Sequence, residues 1–496
     1  MPDTIDALVR AHSSSTKSAV VDPESRISYA ELDSGTAELA AGFIAAGVTK
    51  ASRVGLLMPN GVDWVRIAIA LTRIGAVLVP LSTLLRPGEL TAQLRMASVQ
   101  FLIAVEEFRG HRYPVDQDQL PALCGIWTAE QALSSIGPRG AADALAACVR
   151  EGDPLVIMFT SGSSGPPKGT IHSHRNALGA VRSGLEARCI TGETRLYLPM
   201  PFFWVGGFGA GILSALLAGA TLVTEPIPHP ASTLELLERE HVTLFRGWPE
   251  QAEALARHAA TADLSALRPG SLEALLPEGL RSRPGARASL LGMTESFGPY
   301  CGFRADTDMP ESAWGSCGKP FDGMDVRIVD SETGVPLPPG ETGAIQIRGP
   351  HVMRGICRRS REDVFTPDGF YPTGDLGYLD TDGFLFYRGR SDDMFKVSGA
   401  TVYPSEVQRA LRSVTGVRAA HVVNVPDGPT NRVGAVVVAN GLSVDSLRAA
   451  THAAISSFKV PTLWLILDEE DAIPRGATGK VDNTALQIML RKGVHR

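Results

Sequence analysis

The densest chemical signal in this chain is the run Phe159-Thr160-Ser161-Gly162-Ser163-Ser164-Gly165-Pro166-Pro167-Lys168-Gly169. Its glycines let a backbone wrap closely round an anion. Its hydroxyls and free N–H groups can donate to phosphate oxygens, and Lys168 supplies positive charge. An apolar run, Leu155–Phe159, leads in, and Thr170-Ile171-His172 is extended again, so the segment reads strand–loop–strand. A P-loop NTPase needs GxxxxGK and then Ser or Thr at the start of a helix. Here Gly169 follows Lys168 and the glycine spacing differs, which excludes that kind of site.

The elements around this loop alternate in type. A helical stretch opens at Tyr29 and runs to Ala46, where Gly47 is placed to stop it. A β-run, Arg53–Met58, ends at the turn Pro59-Asn60-Gly61, and a helix pattern (Trp64–Ile74) and a second β-run (Ala76–Val79) follow. Strand–helix–strand at this spacing predicts parallel β-α-β units, with further strands at Leu222-Val223 and Val242–Leu244. The texture changes near residue 390. Beyond it the sequence predicts a strand pair around Met394–Tyr403, and a helix carrying Val407, Ala410, Leu411 and Val414 on one face. β-runs at His421–Val425, Val433–Val438 and Leu463–Leu467 complete this part. The expected architecture is α/β: a large domain of stacked β-sheets with helices over residues 1–390, and a small α+β domain over 391–496.

Composition limits the classes of function. At 496 residues the chain exceeds one ordinary compact domain, and 44% hydrophobic with 20% charged residues is globular. A net charge of −6 without any Lys/Arg block excludes a nucleic-acid or anionic-membrane surface. The six cysteines lack a CxxC or a close Cys/His pair, which reads as reduced thiols in a cytoplasmic protein. The N-terminus lacks the apolar core of a signal peptide. The most apolar region, Ile67–Leu81, is interrupted by Arg73, Gly75 and Pro80 and is too short to span a bilayer.

The phosphate loop resembles the pyrophosphate-binding signature of the adenylate-forming superfamily of acyl-CoA synthetases, luciferases and peptide-synthetase adenylation domains, and most closely an acyl- or aryl-CoA ligase. The resemblance recurs in order along nearly the whole chain. Gly292-Met293-Thr294-Glu295 resembles the GxTE motif; Gly340-Glu341-Thr342-Gly343 with Arg348-Gly349-Pro350 resembles GExGE…RGP, with Ala344 in place of the second glutamate. Tyr371-Pro372-Thr373-Gly374-Asp375 resembles YxTGD, Gly389–Asp393 with Lys396 resembles the hinge segment, and Pro474-Arg475-Gly476-Ala477-Thr478-Gly479-Lys480 resembles the motif of the catalytic lysine.

The resemblance implies a reaction and assigns roles. A carboxylate attacks the α-phosphorus of ATP to give an acyl-AMP, and the acyl group then passes to a thiol, with CoA the expected acceptor. Two anions meet in the first step, so metal and cationic charge matter more than a general base. Thr160, Ser161, Gly162, Ser163, Ser164, Gly165 and Lys168 are expected to hold the phosphates, with Gly292, Met293 and Thr294 beside them and Glu295 holding Mg²⁺. Asp375 is expected to accept the ribose hydroxyls, assisted by Arg390. Lys480 is expected to bridge the carboxylate and the α-phosphate. Asp392 takes the hinge position of a mobile C-terminal lobe, whose Lys396–Gly399 face lines a tunnel for a pantetheine thiol.

For the acid, Pro201-Phe202-Phe203-Trp204-Val205-Gly206-Gly207 resembles the aromatic acyl-pocket motif, with Trp204 where histidine is common. Phe203, Trp204, Phe297 and Tyr300 are expected to wall an apolar or aromatic acyl group, and the pair Gly206-Gly207 suggests room. No carboxylate lies in this segment to pair an α-ammonium, which disfavours an amino acid. Two departures fall on the adenine side. Leu291 stands where an aromatic residue usually precedes GxTE, and Ser271-Leu272-Glu273-Ala274 replaces a small-residue loop, in a stretch about six residues short. A carrier protein or an amine remains open as the acceptor. A non-catalytic acyl-adenylate sensor is the reading from another class, and the joint presence of Glu295, Asp375, Arg390 and Lys480 opposes it.

Overall fold

The computed structural model describes residues 3–160, 168–391, 393–397, 400–427, 430–455, 457–476 and 479–493. The chain packs into two compact units: residues 1–325 with 347–371, and residues 326–346 with 372–496.

The first unit is built on two sheets. The seven-stranded sheet runs, edge to edge, Gly355–Ile356, Lys168–Ser173, Pro154–Thr160, Val77–Pro80, Arg53–Leu57, Phe101–Ala104 and Gly125–Thr128. Its last five strands are parallel, and the first two are antiparallel to their neighbours. The helix Val62–Arg73 links Arg53–Leu57 to Val77–Pro80 as the β-α-β pattern requires. A five-stranded sheet combines Leu244–Phe245, Arg195–Tyr197, Thr221–Val223, Ser18–Val21 and Arg26–Ser28. One buried cluster, including Trp64, Phe202, Phe208, Ile212 and Phe297, forms the main core.

Local chemistry explains where the elements begin. Ser28 and Glu31 form a reciprocal capping box that starts the helix Tyr29–Ala45. Arg73, an interruption in the apolar run of the sequence, is fully buried at the end of its helix. Its guanidinium lies 2.7 Å from Asp6 and 2.9 Å from Asp33. Two carboxylates and the Thr36 hydroxyl offset its desolvation.

The second unit has two layers of its own. Asp325–Val329, Gly343–Arg348, Tyr371–Leu379 and Leu385–Arg390 form a four-stranded sheet. That sheet is why residues 326–346 and 372–390 pack with the C-terminal part, whereas the sequence alone placed the change of texture at residue 390. The other layer is a three-stranded sheet, Val417–Asp427, Thr430–Ala439 and Leu463–Leu467. Its strands alternate faces. Ala420, Val422, Val433 and Val437 meet Val407, Leu411 and Leu447 on one side, whereas Val423, Val425, Val436 and Val438 meet Leu486 and Leu490 on the other. Among the described residues no helix is long and apolar enough to cross a membrane.

Candidate active site

In the first unit the strands on either side of the phosphate loop, Pro154–Thr160 and Lys168–Ser173, pair antiparallel. Thr160 pairs with Lys168 at the mouth of the loop, and the register continues as Gly169 with Phe159 and Thr170 with Met158. A strand, not a helix, follows Lys168. Ser161, Gly162, Ser163, Ser164 and Gly165 lie outside the described residues.

The GxTE segment is a tight hairpin. Gly292 and Met293 end the strand Leu291–Met293, Thr294–Ser296 make one 3₁₀ turn, and Phe297 turns the chain with a left-handed φ of 53° into Gly298–Gly302. Ser296 Oγ closes the turn by donating to the Gly298 carbonyl at 2.7 Å. The Glu295 side chain is buried, with Oε1 accepting from the Tyr371 hydroxyl at 3.2 Å, and its carbonyl accepts from the Met353 N–H at 2.8 Å. A carboxylate held this way keeps free lone pairs for a cation.

Beneath this turn lies a residue that the sequence did not single out. His172 is fully buried, its ring 4.8 Å from that of Phe297 and its Nδ1 2.6 Å from Asn176 Nδ2. Burial pushes its pKa down to about 3, so the imidazole is neutral. Its position, four residues after Lys168 on a strand facing the core, was the available signal.

The aromatic segment holds a surprise in its glycines. Gly206 begins a π-helix, Gly206–Leu213, of the wide-turn kind that often marks functional sites. The pair Gly206-Gly207 is closely packed on its Cβ side. A Cβ on Gly207 would sit 2.1 Å from the Pro201 carbonyl oxygen, and one on Gly206 2.7 Å from Met200 Sδ. The glycines permit close packing at their Cβ positions. Trp204 is half-buried, with its ring edge-on to Phe203 at 6.0 Å and to Trp248 at 5.7 Å. Trp248 was missed in the sequence because its contact with Trp204 is purely tertiary. Phe297 and Tyr300 are both buried, and Phe297 packs against Phe208.

The adenine-side departures are well ordered. Ser271 is buried and its Oγ accepts from the Phe245 N–H at 3.1 Å, while Glu273 accepts from both the N–H and the hydroxyl of Ser282 at 2.8 Å. Leu291 is half-buried on its strand. A separate cleft of about 410 Å³, lined by Arg348, Met353, Arg354, Arg361 and Phe365, contains none of the residues expected to bind acid or nucleotide.

In the second unit Asp375 and Arg390 are cross-strand partners on Tyr371–Leu379 and Leu385–Arg390. Arg390 Nη1 donates to the Thr373 carbonyl at 3.0 Å and to Asp375 Oδ1 at 3.3 Å. Gly374, at φ 75°, lets the guanidinium approach, since a Cβ there would lie 2.9 Å from Arg390 Nη2. Lys396 lies on Phe395–Val397, paired with Thr401 across a two-stranded hairpin. Asp392 and Gly399 lie outside the described residues. Lys480 is exposed at the end of a turn in which Gly476 N–H donates to its carbonyl at 2.8 Å, and an Arg475–Val481 bridge closes the base.

No group of three or more His, Cys, Asp or Glu side chains among the described residues could hold a metal alone. Magnesium takes one or two carboxylates and completes its shell with phosphates and water. Glu295 is the carboxylate that fits.

The AMP-binding enzyme family matches residues 9–357. The chain belongs to that family. A methyl-dioxo-octahydroindenylpropanoyl:CoA ligase of Mycobacterium tuberculosis is 33% identical over 515 residues, covering 98% of each chain. A feruloyl-CoA synthase of Amycolatopsis is 32% identical over 486 residues, covering 95% of this chain and 96% of its own. The crystal structure of an anthranilate CoA ligase in complex with anthranoyl-AMP superposes with a TM-score of 0.83 at 22% identity, covering 100% of this chain and 99% of that one. The fold is that of the adenylate-forming enzymes, and the protein is an AMP-forming ligase of the acyl-CoA synthetase type.

Proposed function

We propose that this ligase activates an apolar or aromatic carboxylic acid as its acyl-AMP and passes the acyl group to CoA in the cytoplasm. A carboxylate oxygen of the acid attacks the α-phosphorus and pyrophosphate leaves. The CoA sulfur then attacks the acyl carbonyl and AMP leaves. Magnesium, when bound, offsets the negative charge of the phosphate oxygens.

The observation that carries this reading is Glu295, a buried carboxylate fixed by Tyr371 on a rigid turn. Residues Thr160 to Gly165 with Lys168 cradle the phosphates, assisted by Gly292, Met293 and Thr294. Asp375 accepts the ribose hydroxyls, and Arg390 holds Asp375 in place. Lys480 meets the developing charge between the carboxylate and the α-phosphate. Phe203, Trp204, Phe297 and Tyr300 wall the acyl group, with Gly206 and Gly207 shaping the backbone behind them. The segment from residue 391 pivots at Asp392 between two orientations: one presents Lys480, the other the Lys396–Gly399 face. Six cysteines without a CxxC pair are in keeping with a reducing compartment.

The test is a panel of carboxylic acids scored by ATP-dependent pyrophosphate release, with CoA, a pantetheinylated carrier protein and amines then offered separately. Thioester formation with CoA is expected. Exclusive transfer to the carrier or the amine would replace CoA as the acceptor, and no release with any acid would overturn the adenylation reading.

A further inference from the structure

Two arginines of the first unit are linked to each other, Arg188 buried and Arg246 half-buried. Arg188 Nε donates to the Gly184 carbonyl at 3.0 Å and Nη2 to the Val181 carbonyl at 2.8 Å. Arg246 Nη2 donates to the Arg188 carbonyl at 3.0 Å, and Arg246 Nε is buried without a hydrogen-bond partner. Neither guanidinium forms an ion pair among the described residues. Asp306 lies close enough to favour the charged form of Arg246, but its two oxygens are engaged by Arg304 at 2.7 and 3.1 Å. Burial pushes Arg188 down to about 9, with the charge of Arg246 adding to the effect, and pushes Arg246 down to about 10. Carbonyl dipoles alone poorly offset a buried charge with a second, half-buried like charge beside it.

The pair is tied into the walls assigned to the acyl group. Arg246 is two residues before Trp248, whose ring meets Trp204 edge-on. Val181, whose carbonyl anchors Arg188, packs its Cγ2 within 3.6 Å of the Cβ position of Gly209, and Phe297 Cε1 lies 3.1 Å from that same position. Those walls are otherwise apolar, so an acid with a wholly apolar tail would leave Arg246 Nε unpaired as it excluded water.

We propose that Arg246, backed by Arg188, binds an oxygen acceptor on the end of the acyl group remote from the reacting carboxyl. The substrate is then an acid of largely apolar or aromatic skeleton that carries a distal ketone, hydroxyl or second carboxylate. The inference rests on the acyl-pocket reading above. It narrows that reading, because a purely hydrocarbon acid would be a poor substrate.

A matched set of para-acetyl-, para-carboxy- and para-ethyl-phenylpropanoate tests it. Activation is read as kcat/KM for pyrophosphate release, and binding as quenching of tryptophan fluorescence. The wild-type protein is expected to favour at least one oxygenated acid over the ethyl acid by roughly tenfold or more, the effect of one hydrogen bond to a charged donor. The acetyl and carboxy arms separate a neutral acceptor from an anionic one. In Arg246→Met the ratio is expected to fall to about one, and Arg246→Lys to restore part of it. Arg246→Gln provides the same comparison if the methionine variant does not fold. A preference that survives the substitution, or equal treatment of all three acids by the wild-type protein, overturns the proposal. Failure of every acid to release pyrophosphate would instead sink the adenylation reading, and the fluorescence titration would still decide whether the distal oxygen is recognised.

Discussion

Arg390 lies directly across from Asp375 on the neighbouring antiparallel strand, with Nη1 3.3 Å from Oδ1 and 3.0 Å from the Thr373 carbonyl. The Arg390 side chain is 36% exposed, so the ion pair contributes at most about 1 kcal/mol to folding. Its value lies in orientation: the guanidinium fixes the Asp375 carboxylate, which the proposal assigns to the ribose hydroxyls. Asp375→Asn is therefore expected to lower kcat/KM for ATP by roughly 10- to 100-fold with little change in melting temperature. Acid-dependent ATP–pyrophosphate exchange, paired with a thermal melt, reads both. A large loss of stability with unchanged exchange would mean that the pair is structural.

Lys480 is exposed on its turn, and the proposal gives it work only in the first half-reaction. Lys480→Ala is expected to reduce acyl-AMP formation by roughly 100-fold or more. Thioester formation from a supplied acyl-AMP should be largely spared. Equal loss in both half-reactions would contradict the alternation of two orientations.

Glu295 is the carboxylate assigned to magnesium, and Tyr371 fixes it. Glu295→Gln should raise the magnesium concentration needed for half-maximal exchange by roughly tenfold or more, since one anionic ligand is lost. Tyr371→Phe, which removes only the hydrogen bond to Oε1, should shift it less. An unchanged magnesium requirement in Glu295→Gln would remove Glu295 from this role.

His172 and His174 are both buried, and burial lowers their pKa to about 3 and about 4. The unfolded chain binds a proton at each near pH 6.5, whereas the folded protein does not until far lower pH. Their stability contribution is therefore intact above pH 6.5 and is lost as pH falls, by about 1.4 kcal/mol per pH unit for each group until its folded pKa is reached. The melting temperature should fall between pH 6.5 and pH 4, and His172→Gln should shallow that fall. The same slope in wild type and variant would show that His172 is protonated in the folded state.

Gly207→Ala is expected to destabilise the fold by about 1–3 kcal/mol, because the new methyl would overlap the Pro201 backbone, which cannot rotate away. Gly206→Ala meets only the flexible end of Met200 and should cost less. Melting temperatures of the two variants provide the comparison, and reversal of their order would contradict the packing described.

Much of this architecture is written locally. The capping box at Ser28 and Glu31, the alternating faces of Val417–Asp427, and the apolar run Leu463–Leu467 each fix their own element through side-chain period and backbone hydrogen bonding. The strand on either side of the phosphate loop was legible for the same reason. What the sequence left undecided joins residues far apart in the chain. Arg73 is buried rather than an exposed interruption because Asp33, 40 residues away, accepts its charge. The Pro201 carbonyl packs on the Cβ side of Gly207, and Trp248 acquires a role only on meeting Trp204. Arg188 and Arg246, 58 residues apart, meet only when folding buries the first and half-buries the second beside it. Propensity and period act within an element, so the sequence alone determined the elements. Desolvation and close packing act between elements, so the environment of each buried charge was decided by the tertiary structure.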